Sequence, residues 1–387
     1  MKPSITELTV SGFRALRDFS VKGLGRVNLI TGRNNTGKSS VLEALRLLFS
    51  DAAPAVILNI LRYREETVGD IGGELRLDRT EALFQFTGIF TGYPQLGKEI
   101  QPIQIDAKDG ERSFELTVRM VWLPRELNSE AVREKVGHYS NPTIPGLEIA
   151  GLEIPKLDEE EIPALMIKSQ NVNRIVPLEN FYQYQIRRSA YRSDLGNESQ
   201  PCIYVSPYGG ERTSNLGGLW DNIALSDSES AVVSALQIID PKIIAVSMVG
   251  GQGSRQSRTA IVRSANFPRP VPLRSFGDGM NRLFGIVLSL VNAKGGLLLI
   301  DEFENGMHHS VQLDAWRTIF RLAHDLDVQV FATSHSWDAI EAFQKAAAES
   351  QEDGGLIRLS RKGDAVIPTL FKEKELAVVT RDRIEVR

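Results

Sequence analysis

The chain has 387 residues, of which 42% are hydrophobic and 24% are charged, and its formal net charge is -4. These fractions are typical of globular proteins and exclude a largely disordered chain, a collagen-like chain and a long coiled coil. With a single cysteine, no secretory signal pattern and no apolar run of membrane length, we expect a cytoplasmic protein with no membrane partner. The near-neutral balance gives no global basic field, so any contact with nucleic acid would need a local patch.

The first fifty residues predict strands, then a loop, then a helix. Alternating apolar residues over 5–21 indicate strand structure, and residues 27–30 form a short apolar run that is typical of another strand. Residues 32–39 make a glycine-punctuated loop. From residue 38 to residue 49 the apolar positions fall on one face of a helix.

The middle third has a different pattern. Short alternating runs at residues 84–86, 103–105 and 114–118, separated by Gly, Pro and Asp, predict antiparallel strands. Residues 124–199 are more polar, and we interpret them as an inserted arm.

The C-terminal half alternates strands with helices, which predicts an α/β fold with a mainly parallel sheet flanked by helices. Ser226 and Glu229 have the spacing of a capping box and predict the start of a helix there. The remaining predicted elements are strands at 203–205, 297–300 and 328–333, helices at 279–292, 310–324 and 337–348, and a hairpin at 356–371.

The most specific motif is Gly-Arg-Asn-Asn-Thr-Gly-Lys-Ser at residues 32–39, a full match to the P-loop pattern. In this motif backbone N–H groups and the helix N-terminus bind phosphate, Lys38 reaches the terminal phosphates, and the Ser39 hydroxyl ligates Mg²⁺. An apolar strand enters the loop and an amphipathic helix leaves it, so a plain glycine turn is a poor alternative. The other nucleotide-binding residues predicted here are Gly32, Asn34, Asn35, Thr36, Gly37 and Ser40.

A second motif is the pair Asp301 and Glu302, which directly follows the apolar run at 297–300. Adjacent carboxylates at the end of a buried strand are costly unless they meet a cation or polarise a water. In P-loop chemistry Asp301 would hold Mg²⁺ and Glu302 would take a proton from the attacking water. For an isolated pair we would favour simple helix capping, but the upstream P-loop favours catalysis.

Two further features have the chemistry of a phosphate site. Ser275 and Gly277 lie in a loop that feeds a helix N-terminus, a second anion-binding geometry on the same chain. One phosphate does not need two such sites, so we expect each subunit to lend this loop to its twin. His335, directly after the strand at 328–333, can bind the γ-phosphate or the attacking water. A zinc site built from the C-terminal histidines is disfavoured because no cysteines have ligand spacing.

In this order and spacing the motifs resemble the ABC-type ATPase heads of the SMC, RecF and OLD (overcoming lysogenization defect) families, most closely the OLD-like branch. By this resemblance Arg14 is the nucleotide-contacting arginine, residues 275–278 are the signature loop, residues 304–308 are the D-loop and His335 is the switch histidine. The signature reads Ser-Phe-Gly-Asp instead of containing two glycines, the Q-loop glutamine is assigned only provisionally to Gln85, and no Toprim nuclease domain is evident.

The resemblance implies an ATPase core at residues 1–50 and 200–387, a β-rich lobe of the same head at 51–123, and an insertion of unknown role at 124–199. It also implies a homodimer that sandwiches two ATP–Mg²⁺, with Glu302, Lys38 and His335 as catalytic residues.

Three biological roles of the ATPase dimer remain open. The dimer could switch a separate effector, such as a Toprim-type nuclease in anti-phage defence, or it could act on DNA as a RecF-like repair ATPase. A transporter subunit is disfavoured by the atypical signature. The DNA alternative depends on a basic and aromatic cluster, for which a plain charged surface is the simpler interpretation; its members are Lys168, Arg174, Arg187, Arg188, Arg192, Tyr182, Tyr184 and Tyr191.

Overall fold

The computed structural model describes residues 5–66, 86–94, 100–124, 161–178, 181, 196–197, 200–207, 213–250, 258–350, 354–382 and 385–386. Its strands are β1 (Glu7–Phe13), β2 (Leu16–Lys22), β3 (Val27–Gly32), β4 (Ile103–Lys108), β5 (Ser113–Pro124), β6 (Glu161–Ser169), β7 (Asn173–Pro177), β8 (Gly196–Asn197), β9 (Gln200–Val205), β10 (Ile243–Gly250), β11 (Arg258–Ser264), β12 (Val271–Pro272), β13 (Leu297–Ile300), β14 (Gln329–Thr333), β15 (Gly354–Lys362) and β16 (Ala365–Lys372). Its helices are α1 (Lys38–Phe49), α2 (Pro54–Tyr63), α3 (Thr213–Ile223), α4 (Asp227–Leu236), α5 (Asp278–Asn292), α6 (His309–Asp325), α7 (Trp337–Glu349) and α8 (Glu373–Arg381).

A seven-stranded sheet organises the fold, in the order β16-β15-β3-β14-β13-β9-β8. Its five central strands are parallel to one another, and the two outermost strands pair antiparallel. The predicted α/β class with a mainly parallel sheet is therefore confirmed. Parallel strands end at a common edge, so β3, β9, β13 and β14 bring their carboxyl ends together.

The apolar run of β13 is buried on both faces, as its composition predicts. Leu297 and Leu299 point into one hydrophobic core, which includes α1 and α2. Leu298 and Ile300 point into the other, which includes α5, α6 and α7. All four side chains are fully buried. The sheet thus holds the end of β13 from both sides, which makes it a rigid base for the residues that follow.

An antiparallel sheet of six strands covers α1, in the order β2-β1-β4-β5-β6-β7. Sequence reasoning assigns residues 124–199 to an insertion, but β6 and β7 lie in that range and continue this sheet. Residues 162–167 of β6 read Ile-Pro-Ala-Leu-Met-Ile, so a strand signal is present in the sequence, and the long polar segments around it obscure it. The antiparallel strands predicted at 103–105 and 114–118 are confirmed as β4 and β5.

Two local predictions differ from the structure. The capping box at α4 is wrong: the Ser226 hydroxyl donates to the Ile223 carbonyl at 2.6 Å, and Glu229 accepts from the Leu225 N–H at 2.9 Å. Leu225 has a φ of +63°, which presents its own N–H to the first turn in place of the Ser226 N–H. Phe86 begins a helical turn and not a strand, whereas residues 84–85 lie outside the described part.

None of the described helices combines the length and the apolar composition that crossing a bilayer requires.

Candidate nucleotide site

The P-loop connects β3 to α1, as the sequence predicts. Gly32 has a φ of +146°, and a Cβ placed there would lie 2.6 Å from the Leu359 carbonyl oxygen. Gly37 has a φ of +89° and packs against the β1–β2 turn, where its Cβ would meet Ala15. Asn35 also adopts positive φ, and the Thr36 hydroxyl donates to the Arg33 carbonyl at 2.8 Å. The loop therefore has the tight, left-handed turns that phosphate-binding loops need.

Lys38 lies across this loop. Its Nζ donates to the Gly32 carbonyl at 2.7 Å and to the Arg33 carbonyl at 3.1 Å. Burial lowers the pKa of the ammonium from its ordinary value, and the negative charges of Asp301, Glu302 and Glu304 oppose that effect only in part. A cation that is desolvated and aimed at the loop is suited to bind an anion there.

Asp301 is the centre of the hydrogen-bond network beside Lys38. Its Oδ1 accepts from the Ser39 hydroxyl at 3.1 Å and from the Thr333 hydroxyl at 2.5 Å, and its Oδ2 accepts from the Tyr204 hydroxyl at 3.2 Å. Only 4% of Asp301 is exposed. The network joins α1, β14 and β9 at the common carboxyl edge of the sheet. Sequence analysis missed Tyr204 and Thr333, whose positions at the ends of neighbouring parallel strands were the available signal.

The residues at this point fit Mg²⁺. The ion takes oxygen ligands and commonly uses one or two protein groups, with the phosphates of a nucleotide and water completing its shell. Ser39 Oγ and Asp301 Oδ1 supply one hydroxyl and one carboxylate oxygen within 3.1 Å of each other. No cluster of three or more His, Cys, Asp or Glu side chains able to hold a metal occurs in the described residues.

Glu302 follows Asp301 in a strained turn with a φ of +49°. Its N–H donates to Thr333 Oγ1 at 2.8 Å, and its Oε2 accepts from Asn305 Nδ2 at 2.5 Å. Arg282 of α5 donates to the carbonyl oxygens of both Asp301 and Glu302, at 2.6 and 2.9 Å. The backbone of the carboxylate pair is therefore held on both sides, which keeps the Glu302 side chain near the site.

His335 lies directly after β14 and contacts Glu304. Glu304 Oε1 accepts from the His335 N–H at 3.0 Å and is 3.2 Å from His335 Nδ1. The histidine side chain is 51% exposed, whereas that of Glu304 is only 9% exposed. The structure thus brings His335 to the same edge as the P-loop and the Asp301–Glu302 pair.

Arg14 is buried in a cluster of charges next to the P-loop helix. Its Nε is 3.0 Å from Glu43 Oε2, and its two terminal nitrogens donate to Glu66 at 2.8 and 2.9 Å. Arg64 also binds Glu43 and reaches the Ser40 hydroxyl at 3.3 Å. The structure therefore places Arg14 against carboxylates of α1 and of the segment after α2, and a contact with nucleotide stays a prediction.

The predicted signature loop lies at the start of α5. Ser275 is exposed in a 3₁₀ turn over Leu273–Phe276, and exposed Gly277 has a φ of +96°. Within the described ranges, no hydrogen bond or ion pair joins Ser275 or Gly277 to the P-loop of the same chain. The start of α5 instead packs on the D-loop region, where a Cβ at Gly279 would lie 3.0 Å from the Gly306 carbonyl oxygen.

The remaining residues singled out in the sequence lie partly outside the described part of the chain. Gln85 and most of the basic and aromatic cluster fall outside the described residues. Of the members that are described, Lys168 is exposed and Arg174 donates to the Asp51 carbonyl at 2.7 Å. Asp327, part of an Asp-x-Asp pattern that we interpret as structural, pairs with Arg26 at 2.9 Å. That ion pair supports the structural interpretation.

Comparison with known proteins agrees with this geometry. Residues 1–115 match the family "AAA ATPase domain", and residues 214–340 match "AAA domain, putative AbiEii toxin, Type IV TA system". The chain is 23% identical over 381 residues to a protein of Helicobacter pylori named ATP/GTP phosphatase, an alignment that covers 96% of each chain. It is 44% identical over 76 residues to an uncharacterized protein of Methanocaldococcus jannaschii, covering 17% of this chain and 35% of the other.

Among solved structures, the chain is similar to the SMC head domain from Thermotoga maritima, with a TM-score of 0.45, 12% identity and coverage of 96% and 99% of the two chains. It is also similar to a Pyrococcus furiosus Smc head domain with an extended coiled coil, with a TM-score of 0.47, 8% identity and coverage of 99% and 100%. The two family matches cover both halves of the site described above, the P-loop and the segment from α3 to α7. Taken with the P-loop geometry, they identify the chain as a P-loop ATPase.

Proposed function

We propose that this chain is an ABC/OLD-like ATPase whose ATP–Mg²⁺-driven dimerisation controls a separate effector protein. The observation that carries the ATPase part is the 3.1 Å contact between Ser39 Oγ and Asp301 Oδ1, which joins the P-loop helix to the carboxylate pair. The desolvated Lys38 lies beside this contact, and Glu302 follows it directly. One edge of the sheet therefore has groups that can bind the phosphate, bind the cation and activate the attacking water.

In this proposal each side chain has one task. The P-loop N–H groups and Lys38 bind the β- and γ-phosphates, while Ser39 and Asp301 hold Mg²⁺. When bound, Mg²⁺ neutralises charge that develops on the phosphate oxygens. Glu302 accepts a proton from the attacking water, and its hydrogen bond to Asn305 orients the carboxylate for this task. His335 senses the γ-phosphate.

The dimer is proposed because, among the described residues, the second anion-binding loop is not bonded to the P-loop of its own subunit. Ser275 and Gly277 are exposed, and in the described part of the chain neither is bonded to the P-loop. A helix N-terminus with free N–H groups attracts phosphate. Two subunits related by a twofold axis can each lend this loop to the nucleotide of the other, so that ATP closes the dimer and hydrolysis opens it.

A separate effector protein is the output that the sequence resemblance implies. One matched family description names a toxin of a Type IV TA system, which supports action together with a second protein. By the sequence resemblance, that effector is a Toprim-type nuclease in anti-phage defence. The alternative, a RecF/SMC-like repair ATPase that binds DNA, gains no support from Lys168 and Arg174, the cluster members that the structure describes.

The test uses Glu302→Gln, which keeps the shape of the side chain and the hydrogen bond to Asn305 but removes the base. We expect loss of ATP hydrolysis and a stable dimer in ATP–Mg²⁺ by light scattering. Lys38→Ala should neither hydrolyse ATP nor dimerise, and Glu341→Gln, a glutamate bound to Trp337 on α7, should behave as the unsubstituted chain. Hydrolysis at the normal rate by Glu302→Gln would overturn the assignment of the base.

The trapped dimer then distinguishes the two outputs. It would be purified from its native host with ATP–Mg²⁺, and the co-purifying molecules identified by mass spectrometry. A nuclease-like protein found with Glu302→Gln and absent with Lys38→Ala supports the two-component switch. DNA without a stoichiometric protein supports the repair ATPase.

A further inference from the structure

Glu304 is a third carboxylate at the ATPase site to which the mechanism above gives no task. It lies three residues after Asp301, and its charge, with those of Asp301 and Glu302, acts on the Lys38 ammonium. Its side chain is 9% exposed. A carboxylate this buried is costly unless it pairs with a donor or a cation.

Most of that pairing comes from His335. Glu304 Oε1 accepts from the His335 backbone N–H at 3.0 Å and is 3.2 Å from its Nδ1, so one oxygen binds the backbone and lies against the ring of the same residue. The His335 side chain is half exposed, and among the described residues its ring has no other hydrogen bond and no aromatic partner. Glu304 is therefore the described group that is placed to restrain the orientation of the ring.

The second carboxylate oxygen of Glu304, Oε2, differs from the first in its hydrogen bonding. Oε2 is buried and, among the described residues, makes no hydrogen bond. A buried acceptor without a partner costs free energy, so the donors near Oε1 supply the pairing of this carboxylate. Because Oε1 already lies against His335 Nδ1, the ring nitrogen that faces Glu304 should carry the proton.

We propose that Glu304 is the positioning residue of the switch histidine. Resting on the proposed function, the inference is that Glu304 fixes the His335 ring with Nδ1–H donated to the carboxylate. Only Nε2 then remains free to bind the γ-phosphate or the attacking water. Glu304 itself touches neither, so it acts on hydrolysis through His335.

Kinetics test this coupling. Glu304→Leu removes the acceptor without leaving a cavity, and we expect kcat to fall about 10- to 100-fold with KM changed less than about threefold. Glu304→Gln, whose amide oxygen can still accept from Nδ1–H, should recover part of the loss. Combined with His335→Ala, Glu304→Leu should cost nothing beyond His335→Ala alone. Multiplied losses in the double variant would overturn the inference, and Glu341→Gln is the matched control.

The protonation of the His335 ring can also be measured by NMR spectroscopy, independently of ATP hydrolysis. In protein labelled with ¹⁵N-histidine, the ring signals of His335 are identified by their loss in His335→Ala. We expect a proton on Nδ1 in the unsubstituted chain and in Glu304→Gln, and loss of that pattern in Glu304→Leu. A ring without a proton on Nδ1 in the unsubstituted chain would overturn the inference. Failure of the proposed function differs from this, because it would show as no ATP hydrolysis by the unsubstituted chain, whatever the state of the ring.

Discussion

Arg282 connects α5 to the carboxylate pair Asp301 and Glu302. Its replacement by Met tests how strongly its hydrogen bonds stabilise the backbone of that pair. The side chain is 2% exposed. Its guanidinium donates to the carbonyl oxygens of Asp301, Glu302 and Ser206. Arg282→Met keeps much of the volume but removes all three donors, so three carbonyls lose a strong partner.

The expected change in the free energy of unfolding of Arg282→Met is the balance of two opposing effects. Each hydrogen bond from a charged donor contributes about 1.5–3 kcal/mol, so three bonds contribute several kcal/mol. Burial of the guanidinium opposes this, because desolvation is costly and here lowers the pKa of Arg282. Methionine avoids that cost but leaves buried carbonyls unpaired, at about 1–3 kcal/mol each. We expect the free energy of unfolding to fall by about 3–5 kcal/mol.

The assay is urea unfolding without nucleotide, followed by the fluorescence of tryptophan. Trp220 and Trp316 are both buried in the core that contains α5, so they report its loss. Arg321→Met, the same substitution at an exposed position of α6, is the control and should change stability by less than about 0.5 kcal/mol. If Arg282→Met also falls within about 1 kcal/mol of the unsubstituted chain, the three hydrogen bonds do not hold the site as argued.

Three further predictions concern single groups at the site. Gly32→Ala should lower the free energy of unfolding by at least about 2 kcal/mol in a denaturant titration, since its Cβ would clash with the Leu359 carbonyl at a φ that disfavours side chains. Tyr204→Phe removes the hydroxyl that donates to Asp301, a hydrogen bond that contributes about 1 kcal/mol to the position of this carboxylate. If that free energy is lost from cation binding, the Mg²⁺ concentration for half-maximal hydrolysis should rise about fivefold. Lys38→Met should remove a pH dependence of stability, because the pKa of the half-buried Lys38 ammonium is lowered in the folded state. The stability of the nucleotide-free unsubstituted chain relative to Lys38→Met should rise as pH rises through this lowered pKa toward the ordinary value, and a difference that stays constant across this range would contradict the reasoning.

Local patterns predicted much of the fold correctly. The helix over Lys38–Phe49 and the strand over Leu297–Ile300 have the predicted bounds, because amphipathic spacing and a continuous apolar run are properties of neighbouring residues. Strands β6 and β7 were missed because the polar segments around them outweighed the apolar run at residues 162–167. The capping box at Ser226 was wrong because a left-handed residue one position earlier changed which N–H faces the helix.

The sequence by itself determined the chemistry of this protein: a P-loop, two adjacent carboxylates after a buried strand, and a histidine after another. Each motif is a short run of residues, so its residue types can be read without the fold. Only the tertiary structure decided which groups meet, because the register of parallel strands aligns residues far apart in the chain. Ser39 thereby reaches Asp301 across 262 positions, Tyr204 joins the same carboxylate, and Glu304 accepts from the His335 N–H.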